Sequence, residues 1–144
     1  MAITSAICNS FKQEILVEGH NFTNGADQFK LALYTSSATL GASTTAYSAT
    51  NEISNTSGSA YSAGGKNLTS VTPTLDGSTA VCDFGDISFT SASFTANGCL
   101  IYNSTNSNKA VCAVAFGGDK TVSNGTFTIQ FPAAAASTAI VRIA

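Results

Sequence analysis

The feature that most constrains this chain is the alternation of apolar and polar residues along several short segments. Residues 29–34 read Phe-Lys-Leu-Ala-Leu-Tyr, and residues 126–131 read Thr-Phe-Thr-Ile-Gln-Phe. A strand points successive side chains to opposite faces, so a period of two predicts strands with one buried face. Because turn residues separate such segments, we expect a mainly β protein, an antiparallel β-sandwich or barrel.

A first hairpin is predicted around Asp76-Gly77. This dipeptide is typical of a type I′ turn, in which both central residues need positive φ. A turn centred there sets Val71 opposite Cys82 and Thr69 opposite Phe84. Pro73 cannot donate a ladder hydrogen bond, so we expect its strand to have a free edge there.

A second hairpin is predicted from residues 99–102 and 109–116, which flank a polar loop at 103–108. Symmetrical pairing about that loop sets Cys99 opposite Cys112. The pair is either a cross-strand disulfide or two facing thiols. We favour thiols, because a directly opposed antiparallel pair strains a disulfide and a reducing cytosol disfavours one. Asn97-Gly98 and Asn124-Gly125 are predicted to interrupt the strands.

One helix is predicted, in the N-terminal segment 1–19. Ser10 and Gln13 have the spacing of a capping box, and Gly19 is a typical stop. These signals indicate two to four turns. Ile7, Phe11 and Ile15 are four apart, so they share one helix face, which we expect to contact either the core or a partner subunit, the core being favoured.

Residues 36–66 are mostly Ser, Thr, Ala, Gly and Asn, with only Leu40, Tyr47, Ile53 and Tyr61 as large anchors. A structureless segment of 31 residues would count against a compact domain. The segment is therefore interpreted as a long ordered loop or as an arm on a neighbouring subunit. No linker or composition break divides the chain, so we expect a single domain over 1–144.

Charge argues against several classes of function. Charged residues make up 10% of the chain, against about 25% in ordinary soluble domains. The six basic residues are dispersed, so we expect no nucleic-acid partner. No apolar run approaches the ~18 residues of a membrane span, so we expect no membrane partner. The N-terminus has no basic start before an apolar run, so we expect synthesis in a cytoplasm.

We find no motif that predicts catalysis, a metal or a cofactor. Asp83 and Asp86 are the closest pair of acids, and turn chemistry at a strand end explains them better than catalysis or Ca²⁺ binding. His20 is the only neutral-pH base, and the scattered Cys residues do not make a zinc site. Residues 64–67 and 117–120 are glycine-rich but lack P-loop spacing, so we interpret both as turns. We therefore expect a protein that is not an enzyme.

Glycan binding needs exposed aromatic platforms. The chain has no Trp, and only Tyr47 and Tyr61 lie in the loop-rich segment. Anchoring of the loop is the favoured role for these two residues, with glycan binding as the alternative.

Motifs spread over the whole chain resemble a group of small tailed-bacteriophage virion proteins. The likeness is carried by residues 29–41, 61–65, 82–84, 100–104, 116–120 and 125–132. What the chain looks like is a capsid decoration, or cement, protein. The resemblance implies a β-rich protein on the head surface that binds the major capsid protein as a homo-oligomer, with a trimer favoured. The resemblance identifies no catalytic residues in this chain. A tail or neck component and a virion-surface glycan-binding module stay open as alternatives.

Overall fold

Two antiparallel sheets organise the computed structural model, which describes residues 2–144. One sheet has five strands in the order β1-β7-β6-β2-β3, and the other has three in the order β4-β5-β8. The mainly β, antiparallel prediction with one short helix is confirmed. Within residues 2–144 both sheets stay open, so the sandwich form of the prediction applies and not the barrel. The strands are β1 Ala6–Ile7, β2 Phe29–Tyr34, β3 Lys66–Asn67, β4 Ser70–Asp76, β5 Thr79–Phe84, β6 Ile87–Asn103, β7 Lys109–Ile129 and β8 Val141–Ile143.

Aromatic rings join the two sheets. Phe29 of β2 and Phe84 of β5 have ring centroids 5.8 Å apart, and Phe22 stacks on Phe29 at 4.3 Å. All three side chains are buried. Burial of each such side chain contributes roughly 1.5–3 kcal/mol, so the alternation in the strands is what holds the sandwich together.

The N-terminal helix has the predicted length of two to four turns when its 3₁₀ end is included, but its predicted capping box is wrong. Helix α1 spans Asn9–Glu14 and continues as a 3₁₀ turn over Ile15–Val17. The N-cap is Cys8, without a side-chain cap, because Ser10 already lies inside the first turn. Glu18 takes a left-handed φ of 59°, and the Gly19 amide donates to the Glu14 carbonyl at 2.8 Å. The helix therefore ends at Val17, and its C-cap is Glu18, one residue before the predicted Gly19.

The first hairpin turns one residue later than predicted. Asp76 pairs with Thr79, so Gly77 and Ser78 are the central residues. Gly77 has a φ of 63°, the positive value that the first central position of a type II′ turn needs.

The pairing in this hairpin is shifted accordingly. Val71 faces Asp83 and Ser70 faces Phe84, in place of the predicted Val71–Cys82 and Thr69–Phe84 pairs. Strand β4 is an edge strand with an irregularity between Val71 and Thr74, which is where Pro73 lies. The expectation of a free edge at the proline is thus confirmed.

Strands β6 and β7 form a long hairpin that passes through the predicted breaks. Asn97-Gly98 and Asn124-Gly125 lie inside the strands as local irregularities. Residues 116–119 bulge out opposite Asn97, because Ala96 pairs with Lys120 while Gly98 pairs with Ala115. Beyond this bulge, residues 87–96 and 120–129 form a two-stranded ribbon. Glycine and asparagine here permit a bulge and not a chain reversal.

The predicted pairing of Cys99 with Cys112 is wrong. Cys99 faces Val114, and Cys112 faces Ile101. The turn is closed by Asn103 and Lys109, so the loop is one residue shorter than assumed. The register shifts once more between Ile101 and Tyr102. Together these changes move the pairing by two residues, so the thiols are diagonal neighbours.

Residues 36–66 lie against the protein's own sheets. Ile53 and Tyr61 are buried, and isolated bridges join Leu40 to Ile3 and Ala46 to Lys109. The accessible surface is 7068 Å², close to the roughly 6,900 Å² expected of a compact monomer of this mass. Gly65 permits the close return onto β2, because a Cβ there would lie 1.9 Å from the Leu31 carbonyl oxygen.

Candidate interaction surface

The two ends of the chain meet at an apolar groove, which we call the terminal groove. It is lined by Ile7, Phe11, Ile15, Leu16, Val141 and Ile143, and it encloses about 330 Å³. The three residues predicted to share a face are thus brought together. Phe11 is buried in the core, whereas Ile7 and Ile15 are half-buried along the groove.

A short apolar turn projects beside the terminal groove. Leu16 is 84% exposed and Val17 is 64% exposed, and Ile143 on the opposite wall is 54% exposed. Leu16 and Val17 lie off the helix face that Phe11 and Ile15 share, so their side chains do not pack into the core. Concentrated exposed apolar side chains of this kind mark interaction surfaces.

Charges of opposite sign border the two parts of this surface. Lys12 and Arg142 line the terminal groove, and Glu18 follows Val17 directly on the projecting turn and is exposed. The groove is therefore rimmed by cations, whereas the turn carries an anion. The surface combines a concave and a convex part with complementary charge.

A second surface is covered by hydroxyl groups. One face of the β6–β7 ribbon is rich in Ser and Thr side chains, and hydrogen bonds join Ser88 to Thr128 at 3.0 Å and Thr95 to Thr121 at 2.9 Å. We call it the hydroxyl face, and its members are Ser88, Thr90, Ser93, Thr95, Thr121, Ser123, Thr126 and Thr128.

His20 is enclosed in a buried polar network. Its side chain is 0% exposed, and Nε2 lies 2.9 Å from a Glu14 carboxylate oxygen. Its Nδ1 faces the Asn103 side-chain nitrogen at 3.2 Å. Since the Asn103 nitrogen can only donate, Nδ1 accepts and Nε2 carries the proton. The network ties the end of α1 to the β6–β7 turn.

All four tyrosines surround Glu52. Its carboxylate accepts hydrogen bonds from the Tyr47 hydroxyl at 2.7 Å, from the Tyr61 hydroxyl and from the Gly64 amide at 2.8 Å. Burial, reinforced by this carboxylate, raises the pKa of Tyr61 far above its ordinary value and raises that of Tyr102 to about 12. Tyr47 and Tyr61 thus hold the 36–66 segment in place, which confirms the anchoring role.

The four cysteines are free thiols. Burial raises the pKa of Cys99 to about 12 and that of Cys82 to about 11. The pKa of Cys8 is raised to about 11 by burial and by the Glu14 carboxylate. Burial, with the neighbouring thiols Cys99 and Cys8, raises the pKa of Cys112 as well. These thiols are therefore poor nucleophiles at neutral pH.

Of the two acids singled out in the sequence, Asp83 acts locally, as expected, whereas Asp86 binds a segment 45 residues away, so local turn chemistry is wrong for it. Asp83 accepts a hydrogen bond from the Phe84 amide at 2.8 Å, and Asp86 accepts one from the Phe131 amide at 2.9 Å. Within residues 2–144, no three His, Cys, Asp or Glu side chains cluster as metal ligands. No helix in that range is long and apolar enough to cross a membrane.

No family model, no curated protein and no solved structure matches this chain.

Sequence reasoning missed Glu52, Asn103 and the exposed Leu16–Glu18 turn. Both Glu52 and Asn103 are single polar residues. The partners of Asn103 lie far along the chain, whereas those of Glu52 lie within 12 residues in a loop without a periodic pattern, so no local pattern identifies either residue. The turn does carry a signal, because Leu16 and Val17 fall off the helix face that Phe11 and Ile15 share. Two large apolar residues on the polar side of a short helix indicate an exposed patch.

Proposed function

We propose that this protein is a structural virion protein of a tailed bacteriophage, a decoration protein that binds the head lattice of the major capsid protein and stabilises it. The observation that carries the proposal is the surface at the chain ends, where the exposed Leu16–Glu18 turn lies beside the terminal groove. The resemblance of the motifs in 29–41 and 125–132 to phage virion proteins supports the virion context. The role is adhesion and not catalysis.

The surface at the chain ends joins copies of the chain to one another. The Leu16–Glu18 turn of one copy enters the terminal groove of the next, and its Glu18 approaches the Lys12 and Arg142 of that groove. The turn and the groove share Leu16 at their border, but Val17 and Glu18 belong to the turn alone, so the contact is head-to-tail. A ring of three copies is the closed form that the resemblance favours. A stable interface of this kind buries about 800 Å² on each partner.

The hydroxyl face of the ribbon contacts the capsid. Short Ser and Thr side chains lose little conformational freedom when they are immobilised, unlike Lys or Glu. One such contact is weak, but a trimer presents three at once. Detachment then requires all three to break together, and this avidity links neighbouring capsomers and opposes bursting of the shell.

The direct test is to locate and count this chain in intact virions by particle reconstruction with a labelled copy. Hundreds of copies spread over the head support a decoration protein. A few copies at one vertex would overturn the head assignment and indicate a tail or neck component. Binding of the purified protein to a glycan array would favour the glycan-binding alternative, which the buried Tyr61 and the half-buried Tyr47, both hydrogen-bonded to Glu52, do not support.

A further inference from the structure

Three Asn-Gly pairs occur in the chain, at residues 24–25, 97–98 and 124–125. In such a pair the backbone nitrogen of the glycine can attack the side-chain amide of the asparagine. Glycine permits this reaction most readily, because it has no Cβ to hinder the approach. Since the local chemistry of the three pairs is the same, the fold decides which asparagine side chain is free to react.

Two of the three asparagines are held by their side-chain nitrogen. Asn24 Nδ2 donates to the Ser70 carbonyl at 2.6 Å, and the Asn24 backbone amide donates to the Thr72 hydroxyl at 3.0 Å. Asn97 Nδ2 donates to a carboxylate oxygen of Asp119 at 2.9 Å. A reaction at either side chain therefore first has to break a hydrogen bond.

Asn124 has no such restraint. It is exposed, and among residues 2–144 its one side-chain contact by hydrogen bonding is made by its backbone amide, which donates to Ser93 Oγ at 3.0 Å. Its φ of 46° is left-handed. The ladder is irregular on both sides of the neighbouring Ala92–Gly125 pair. Regular strand pairing therefore does not fix the backbone next to the free amide group.

We propose that Asn124 is a site of spontaneous deamidation in the folded protein, and that the fold protects Asn24 and Asn97. The Gly125 nitrogen forms a bond to Asn124 Cγ, the Cγ–Nδ2 bond breaks, and the side-chain nitrogen leaves as ammonia with the proton of the glycine amide. Water then opens the cyclic imide at either carbonyl. Opening at Cγ gives aspartate, whereas opening at the backbone carbonyl gives isoaspartate, whose main chain runs through the former side chain. Water is the only co-reactant.

The modification places a carboxylate beside the hydroxyl face of the ribbon. Ser93 of that face binds the Asn124 amide, and the new charge adds to a formal net charge of −2. A charge that is buried in a contact loses hydration, so docking through this face weakens as the protein ages. This consequence rests on the proposed function, in which the hydroxyl face contacts the capsid, whereas the deamidation itself does not.

Mass spectrometry of the three Asn-Gly peptides, after incubation of the full chain at pH 8 and 37 °C, tests the assignment. In the folded protein we expect conversion at Asn124 to be about tenfold faster than at Asn24 or Asn97, since one hydrogen bond of ordinary strength corresponds to roughly that factor. The control is the same chain in guanidinium chloride. The three pairs have no tertiary contacts there and should convert at similar rates.

Asp119→Ala tests the protection directly. It removes the acceptor of Asn97 Nδ2, so conversion at Asn97 in the folded protein should rise several-fold while that at Asn124 stays unchanged. An Asn124 that stays intact in the folded protein while it converts in the unfolded chain would overturn the proposal. Equal rates at the three pairs in the folded protein, or no rise at Asn97 in Asp119→Ala, would overturn the selection by hydrogen bonding.

Asn124→Asp separates the modification from its consequence. This variant carries the aspartate product from the start, so we expect it to bind phage heads that lack the protein more weakly than the wild type does. If the wild type bound these heads and the variant bound them equally well, the effect on docking would be wrong even where deamidation occurs. If the wild type itself failed to bind them, the proposed function would fail, and conversion at Asn124 would still be decided by the mass spectra.

Discussion

Residues 36–66 are polar and lie against the protein's own sheets, whereas the Leu16–Glu18 turn is largely apolar and projects into solvent. In the loop, the Glu52 carboxylate and the tyrosine hydroxyls satisfy one another, and Ile53 and Tyr61 are buried. In the turn, Leu16 and Val17 have most of their surface in water. A polar segment whose hydrogen-bonding groups are satisfied within the protein gains little from a partner. Exposed apolar surface, by contrast, gains free energy when a partner buries it.

Alkaline pH should affect the buried side of this comparison most strongly, because burial raises the pKa of Tyr47 and Tyr61 in the loop and of a tyrosine and thiols in the strands of the sheets. In the unfolded chain, thiols and phenols ionise near their ordinary pKa values of 9.0 and 10.0, while in the folded protein burial holds Cys82 at about 11 and Cys99 and Tyr102 at about 12. The unfolded state therefore releases protons first, and the stability that these groups contribute is fully present well below pH 9 and falls as the pH rises through 9 and above.

The expected size is a loss of Tm on the order of 10 °C between pH 8 and pH 10.5, since several groups contribute. Calorimetry across this range is the measurement, and absorbance of phenolate in the folded protein is its control. A flat Tm over the same range would show that the tyrosines around Glu52 are open to solvent, and the contrast with the turn would be lost.

Glu52→Ala should unfold the loop side selectively. Two phenol hydroxyls and the Gly64 amide lose their acceptor, so we expect a loss of about 3 kcal/mol in the free energy of unfolding by urea. The matched control is Glu18→Ala in the exposed turn, which should change that free energy by less than about 0.5 kcal/mol. Equal effects of the two substitutions would contradict the distinction between a closed loop and an open turn.

A charge reversal tests the exposed Leu16–Glu18 turn, the other region in this comparison. Glu18→Lys places a cation opposite Lys12 and Arg142 of the neighbouring copy, so we expect self-association to weaken about tenfold in sedimentation at low salt. Adding Arg142→Glu should restore much of it, and 0.5 M salt should shrink both effects. If neither substitution changed the strength of self-association, the result would argue against the head-to-tail contact.

The alternation in residues 29–34 and 126–131 is enough to predict the mainly β fold, because a period of two depends only on local strand geometry. Registers are not predictable in this way. The Cys99–Cys112 pairing fails because one loop residue and one irregularity near Ile101 each shift the ladder by one. Asn97-Gly98 fails as a break because a bulge and a turn use the same residues, and long-range pairing decides between them.

The candidate surface is partly predictable. Ile7, Phe11 and Ile15 come together as their spacing indicates, but β8, which forms the opposite wall of the terminal groove, is more than 120 residues away in the chain. The closure of residues 36–66 depends on one carboxylate, Glu52, that accepts hydrogen bonds from Tyr47, Tyr61 and Gly64 of the same segment. Such contacts follow from the assembled fold and have no local signal in the sequence.

Light scattering on the purified protein tests the central claim most directly, namely that the chain ends and not the 36–66 loop join copies together. For the wild type we predict a mass of three 14.6 kDa chains. Leu16→Ser combined with Ile143→Ser should reduce it to one chain without loss of folding, whereas Leu75→Ser, at an equally exposed site on β4, should leave the trimer intact. A wild type that stays at 14.6 kDa at every concentration, or a trimer that survives the double substitution, would contradict the account.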